Sequence, residues 1–236
     1  MPQSRLNQKT RIQARERLPV SPYQPRIKIK AGDNWLIPGR KGSGKTTFIK
    51  YLIPSYISLY PDSRIYTLDI KFRDYNDYPG GVTSDTCPSL PGTNDRFQTW
   101  HCLTESPEEI EKWLWNILHD PPAFVNIDEG LALVYGPRAT SEEFKKIQKL
   151  GRDLPIGTGF STQELVQIPR NAIGQADHIV RYRIRHPYEI QLLDNMMAWD
   201  SKSYQNYPDK FGFLYMHTDS ESPLYFPSVQ RFLNIS

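Results

Sequence analysis

The sequence is short of several things, and each shortage removes a class of protein. It has two cysteines, Cys87 and Cys102, in 236 residues. That is too few for a disulfide framework or a cysteine-rich zinc site, so two free thiols in a reducing compartment are expected. The five histidines, at 101, 119, 178, 186 and 217, show no metal-ligand spacing. Long apolar runs are also missing. The longest stretch without a charged residue is eleven residues, Tyr51 to Pro61, whereas a membrane helix needs about 20 apolar residues. No apolar h-region opens the chain, so neither a secretory precursor nor a membrane segment is expected. The 38% hydrophobic and 23% charged residues that are present suit one large globular domain, or one domain with a tail.

The net charge of +3 conceals an asymmetry. Residues 1–30 carry eight Lys/Arg and one Glu, while residues 31–236 sum to −4. A mildly acidic body therefore bears a basic arm over residues 1–26, rich in Gln, Arg and Pro. The arm has too little apolar surface to offset its ordering entropy, and it reads as extended or disordered. Three roles are open to it: contact with nucleic acid, packing on a neighbouring subunit, or simple solvation.

From residue 27 to the end, β-like and helical runs alternate. Strands are expected at 27–30, 35–38, 64–70, 123–128, 155–161, 178–182, 211–217 and 224–229. Residues 46–59 carry apolar side chains at 48, 49, 52, 53, 56 and 57, the spacing of one helical face. Pro54 should kink or shorten that helix. Capping boxes at Ser106-Pro107-Glu108-Glu109 and Thr140-Ser141-Glu142-Glu143 open two more helices. The first runs to about Leu118; the second turns Phe144, Ile147 and Leu150 inward. Its outer lysines, Lys145, Lys146 and Lys149, suit a salt-bridged solvated face better than a DNA contact. A fourth helix is expected over 187–199, and 79–99 reads as a long polar loop. Strand–helix alternation implies βαβ units, a three-layer α/β fold and a mainly parallel central sheet.

Three elements carry chemistry. Gly39-Arg40-Lys41-Gly42-Ser43-Gly44-Lys45-Thr46 satisfies G-x-x-x-x-G-K-[ST], between a short apolar strand and an amphipathic helix. With Thr47 it forms a candidate nucleotide-binding loop. Its glycines let backbone amides close around phosphates, the helix N-terminus adds positive potential, Lys45 reaches the β- and γ-phosphates, and the Thr46 hydroxyl holds Mg²⁺. Next, Phe124-Val125-Asn126-Ile127-Asp128-Glu129 is an apolar strand ending in two acids. Asp128 suits the metal and Glu129 the attacking water, which favours hydrolysis over phosphoryl transfer to an acceptor. Last, Gly159-Phe160-Ser161-Thr162-Gln163 ends a strand in a polar residue able to sense a γ-phosphate and orient water. Gln163 follows Glu129 by 34 residues, with Gly151-Arg152 before its strand.

This order of motifs resembles the FtsK/HerA superfamily of DNA-pumping ATPases. The similarity spans about residues 32–185 and includes Gln163 to Asn171 and Ala176-Asp177-His178. In its short form the chain is most similar to the genome-packaging ATPases of tailless double-stranded DNA viruses. The resemblance implies a RecA-like P-loop fold over 27–236, ATP and Mg²⁺ as cofactors, and a hexameric ring around duplex DNA. It also implies capsid-vertex or portal partners and residence in host cytoplasm or virion. Within that reading Arg152 is the trans-acting arginine finger, with Arg170 second and helix capping as the bland role for Arg152. Arg138, the one charge of the loop 133–140, is the candidate DNA contact in the pore, or else an ion-pair partner of Glu142 or Glu143. Two other functions stay open: a translocase for plasmid mobilisation or filamentous-phage assembly, and a P-loop kinase or switch protein.

Overall fold

The computed structural model describes residues 27–71, 74–92, 95–104, 106–136, 139–197, 211–221, 223–229 and 232. The basic arm and Arg138 lie outside these residues.

The elements run β1 (Asn34–Pro38), α1 (Lys45–Leu59), β2 (Arg64–Asp69), β3 (Gly81–Ser84), β4 (Phe97–Cys102), α2 (Pro107–Leu118), β5 (Ala123–Ile127), β6 (Val134–Gly136), β7 (Ala139–Thr140), α3 (Glu142–Leu150), β8 (Ile156–Thr162), α4 (Arg170–Ile173), β9 (His178–Arg181), α5 (Pro187–Met196), β10 (Phe213–His217) and β11 (Leu224–Phe226). Among the described residues, nine strands join in one sheet, ordered β11-β10-β9-β1-β8-β5-β2-β4-β3. Pairing is parallel from β9 to β3 and antiparallel where β10 meets β9 and β11. The central strands β1, β5 and β8 are buried along their whole length, as parallel strands covered on both faces must be.

Two cores follow from the two faces of each strand. Trp35, Ile37, Ile65 and Phe124 pack with Phe48, Ile49, Leu52 and Tyr56 of α1. Their neighbours Leu36, Tyr66, Leu68, Val125 and Ile127 pack on the other side with Trp113 and Leu114 of α2 and Phe144 and Ile147 of α3. The strand alternation thus assigns the helices to two layers, and the architecture is the three-layer α/β form expected.

Several local expectations need correction. Residues 27–30 form no strand: both edges of β1 are already taken by β8 and β9. Instead Asp33 turns the segment by accepting the Lys30 amide at 2.8 Å, and the Tyr60 hydroxyl holds the Ile29 carbonyl at 2.8 Å. Helix α1 runs through Pro54. Proline leaves the Lys50 carbonyl without its usual donor, and the Tyr78 hydroxyl points to that oxygen at 3.4 Å. The segment 79–99, expected as a loop, contains β3 and the start of β4. The polar residues of β4 disguise it, yet they are buried and bonded: Gln98 Oε1 accepts from Trp113 Nε1 at 3.0 Å and Gln98 Nε2 donates to the Ser89 carbonyl at 2.6 Å.

Neither capping box closes as expected. Ser106 Oγ turns to Glu108 at 2.6 Å, and the Glu109 carboxylate accepts the Cys87 amide at 2.6 Å. In α3 the cap is Ser141, not Thr140, and its Oγ accepts from Phe144 N at 3.0 Å. Glu111 of α2 takes the amides of Glu142 and Glu143, each at 3.0 Å. Leu150 is 43% exposed because the buried stripe is Phe144, Ile147, Gln148 and Gly151. A Cβ at Gly151 would lie 2.3 Å from the Ile156 carbonyl oxygen, so only glycine fits there. The outer lysines pair as expected of a solvated face, Lys145 with Glu142 and Lys146 with Glu143, each at 2.6 Å. At the remaining ends, α5 stops at Met196, β10 begins at Phe213 and β11 stops at Phe226.

Because one carboxylate of α2 caps α3, Glu111→Ala is expected to lower stability by about 1–2 kcal/mol in urea unfolding; an unchanged midpoint would show that the cap contributes nothing.

Candidate functional site

The three motifs meet because β1, β8 and β5 are adjacent and parallel, so the chain leaves all three at one rim of the sheet. This is where ligands bind in open α/β sheets. The loop after β1 is anchored to its neighbours: Gly39 N donates to the Thr162 carbonyl at 3.0 Å, and Arg40 N to the Arg183 carbonyl at 3.1 Å. A Cβ at Gly39 would meet Cβ of Tyr182 at 2.5 Å, and Gly44 has φ of 106°. Both positions therefore require glycine. Helix α1 opens at Gly44 with no side-chain cap and no acid in its first turn, whereas α2 and α3 each begin with two glutamates. Its first-turn amides and the positive end of its dipole are left for an external anion.

A cavity of about 560 Å³ lies over this terminus, lined by Lys41 to Thr47, Lys71, Asp74, Gln163 and Phe211. Residues Lys41, Ser43, Lys45, Thr46 and Thr47 thus belong to one wall. Gly39 and Arg40 serve through their carbonyls, which accept from Lys45 Nζ at 2.6 and 3.2 Å. Lys45 is 6% exposed. Its ammonium pKa is drawn down to about 8, chiefly by burial, with Lys71 adding to the effect and Glu129, Asp128 and Asp74 opposing it.

The acids sit behind this wall. Asp128 and Glu129 are buried. The Asp128 amide donates to the Leu68 carbonyl at 3.1 Å, and its own carbonyl accepts from Ser161 Oγ. Thr46 Oγ1 lies 3.4 Å from Asp128 Oδ1 and 3.4 Å from Asp74 Oδ2. Three hard oxygen donors on one side of the cavity fit Mg²⁺, which favours carboxylate, hydroxyl and phosphate oxygens. Gln163 closes on Glu129: its Nε2 donates to Oε2 at 3.0 Å and its amide to Oε1 at 3.3 Å. Burial pushes the Asp128 carboxyl above the ordinary aspartate range, with Lys71 pulling the other way. Burial acts to lower the Lys71 ammonium, but Asp128 and then Glu129 outweigh it and hold the pKa above the usual lysine value.

Lys71, Asp74 and Phe211 belong to none of the three motifs. Lys71 and Asp74 follow β2 in a polar stretch that looks like any surface loop; the one hint in the sequence is a buried strand ending in Asp69. Phe211 lies far along the chain, and its 51% exposure carries no sequence signal.

The two candidate arginines are not at the phosphate cradle. Arg152 precedes β8, at the opposite end of a seven-residue strand from Gln163, which is roughly 20 Å at 3.3 Å per residue. Its guanidinium pairs with Asp177 rather than with helix carbonyls, and 71% of the side chain is exposed. Arg170 opens α4, on the Gln163 side, and donates to the Tyr188 hydroxyl at 2.8 Å.

No known family model matches the sequence, and no curated protein does. Solved structures do match in fold. The genome-packaging NTPase B204 from Sulfolobus turreted icosahedral virus 2, in complex with ATP-gammaS, aligns with TM-score 0.69 at 17% identity, over 85% of this chain and 100% of that one. VirB4 of Thermoanaerobacter pseudethanolicus aligns with TM-score 0.61 at 10% identity, over 85% and 92%. The pCW3 conjugation coupling protein TcpA, with ATPgS, aligns with TM-score 0.58 at 13% identity, over 85% of this chain and 62% of that one. The fold is therefore that of P-loop NTPases, and these neighbours fit the superfamily resemblance carried by the motif order. Among the described residues, no helix is long and apolar enough to cross a membrane.

The buried Lys45 charge has a measurable cost. Below about pH 8 the lysine is charged in both folded and unfolded chains, and the burial penalty is present in full. Between about 8 and the unfolded value of 10.5 the folded chain loses the proton first, so stability recovers across that window. Lys45→Met should therefore stabilise the protein without nucleotide at pH 7, by on the order of 1–3 kcal/mol, and the gain should vanish towards pH 10.5. Urea unfolding at a series of pH values checks this; a destabilised variant at pH 7 contradicts it.

Proposed function

We propose that this chain hydrolyses ATP to move double-stranded DNA, and that it packages a viral genome into a preformed capsid. The observation that carries the catalytic part is the Glu129–Gln163 pair, joined at 3.0 Å directly behind a phosphate-binding helix terminus. A carboxylate and an amide so placed can hold a water and take its proton as it attacks the γ-phosphate. Lys45 supplies the fixed cation at the phosphates. Thr46 and Asp128, with Asp74 beside them, would hold the metal, which would supply positive charge to offset that of the phosphates. Phe211, which lines the same cavity, would offer an aromatic surface to the base.

The packaging role rests on the likeness to a viral genome-packaging NTPase that this chain covers end to end. The likeness to a conjugation coupling protein and to VirB4 favours plasmid mobilisation as the second reading. In either case the working form is a homo-oligomeric ring, hexameric by the resemblance, with Arg152 or Arg170 reaching the neighbour's γ-phosphate. Arg138 and the basic arm are the proposed DNA contacts. Capsid-vertex or portal proteins are the proposed partners, in host cytoplasm or virion.

ATP hydrolysis measured with and without duplex DNA tests the function: stimulation by DNA is expected, and phosphoryl transfer to a small acceptor would turn the reading to a kinase. Glu129→Gln should still bind ATP while turnover falls by about 10² or more; near-normal turnover would remove Glu129 from the reaction. Arg152 is tested by mixing. Arg152→Ala and Lys45→Ala rings should each be inactive, and mixed rings should recover some hydrolysis where an intact Lys45 site meets an intact Arg152. Mixed rings without recovery, or full activity of Arg152→Ala alone, would exclude it.

A further inference from the structure

Two side chains of the cavity wall stand between the phosphate cradle and the buried acids. One, Gln163, belongs to the water-positioning pair. The other is Lys71, which none of the three motifs contains. Its ammonium lies 2.9 Å from Asp128 Oδ2 and 3.3 Å from the Asp128 carbonyl oxygen, and 3.5 Å from Glu129 Oε2. The placement is built from the backbone outward. The Lys71 amide donates to Asp69 Oδ1 at 2.9 Å, and Asp69 is itself buried beside His101 at 3.1 Å. The residue is pinned just after β2, and its stem reaches across to the end of β5.

The Asp128 carboxylate is thereby shared. Oδ1 faces the Thr46 hydroxyl at 3.4 Å, the side on which a divalent cation would join the donors. Oδ2 faces the ammonium. A free cation approaching Asp128 meets a like charge already bonded to the same carboxylate, whereas a cation arriving with ATP brings phosphate oxygens that can accept the ammonium in turn. We propose that Lys71 is a tethered counter-ion for the Asp128–Glu129 pair, which keeps free divalent metal off the acids and yields Asp128 only to metal that enters with a nucleotide.

This rests on the reading of Thr46 and Asp128 as the metal-holding pair, and its readout is metal binding rather than turnover. Mn²⁺ alone, without nucleotide, is titrated into the full-length protein and followed by electron paramagnetic resonance. Lys71→Met should bind Mn²⁺ at least about tenfold more tightly than wild type, the scale of one charge-assisted hydrogen bond removed. Adding Asp128→Asn to it should abolish the gain. Lys71→Gln, which keeps a donor for the Asp128 carbonyl, should behave as Lys71→Met does, and it serves if that variant folds poorly. A lysine with only a structural role would give the opposite sign, since its loss would loosen the site and weaken Mn²⁺ binding. Unchanged or weaker Mn²⁺ binding in the variants, or a gain that survives Asp128→Asn, overturns the proposal. A fluorescent ATP analogue added to wild type separates the two readings: failure to bind it counts against the nucleotide site, while the Mn²⁺ comparison still reports on Lys71.

Discussion

Asp128 is the residue on which the site turns. Its amide and carbonyl are bonded to β2 and β8, through the Leu68 carbonyl and the Ser161 hydroxyl. Its carboxylate stands between the Thr46 hydroxyl of α1 and the ammonium of Lys71. Three segments distant in sequence, at residues 46, 68–71 and 161, are thus fixed relative to one residue. Taking such a group out of water is unfavourable unless it is paired and bonded, and here every face of the residue has a partner. The arrangement holds only because β5 lies between β2 and β8 in the sheet.

The site as a whole stores unfavourable electrostatics. Lys45 is charged and buried, satisfied by two backbone carbonyls. Asp128 is buried against a lysine, and α1 begins without a cap or an acid. Each of these features costs the folded chain something, and each is what a bound triphosphate and its metal would relieve. Binding energy and fold stability are therefore coupled in the same few residues, as is common where function sets the local chemistry.

Much of this is legible in the order of residues alone. The loop 39–47, the acid pair and Gln163 can be read because each is a short local pattern at a strand end, and backbone geometry fixes what such a pattern can do. The three-layer fold is legible from alternating strands and helices. The order β1-β8-β5 is not, since parallel pairing joins segments far apart in the chain. Strand β4 escapes notice because Gln98, Thr99 and His101 look like loop residues, and their partners, among them Trp113 and Asp69, come together only in three dimensions. That α1 does not end at Pro54 is hidden for a similar reason, the compensating Tyr78 being 28 residues from Lys50. Lys71 and Asp74 carry no motif, only the hint of a strand ending just before them; their place beside Asp128 and Thr46 gives them meaning.

The most direct measurement is an experimental structure of the protein with Mg²⁺ and a non-hydrolysable ATP analogue. The phosphates should rest on the amides of residues 42–46, with Lys45 Nζ moved from the Gly39 carbonyl to a β- or γ-oxygen. The metal should lie between Thr46 Oγ1 and Asp128, and a water should be held by Glu129 and Gln163 in line with the γ-phosphate. A nucleotide bound elsewhere, or one bound there with Lys45 still on the Gly39 carbonyl and no water at Glu129, would contradict an ATP-hydrolysing site built on these residues.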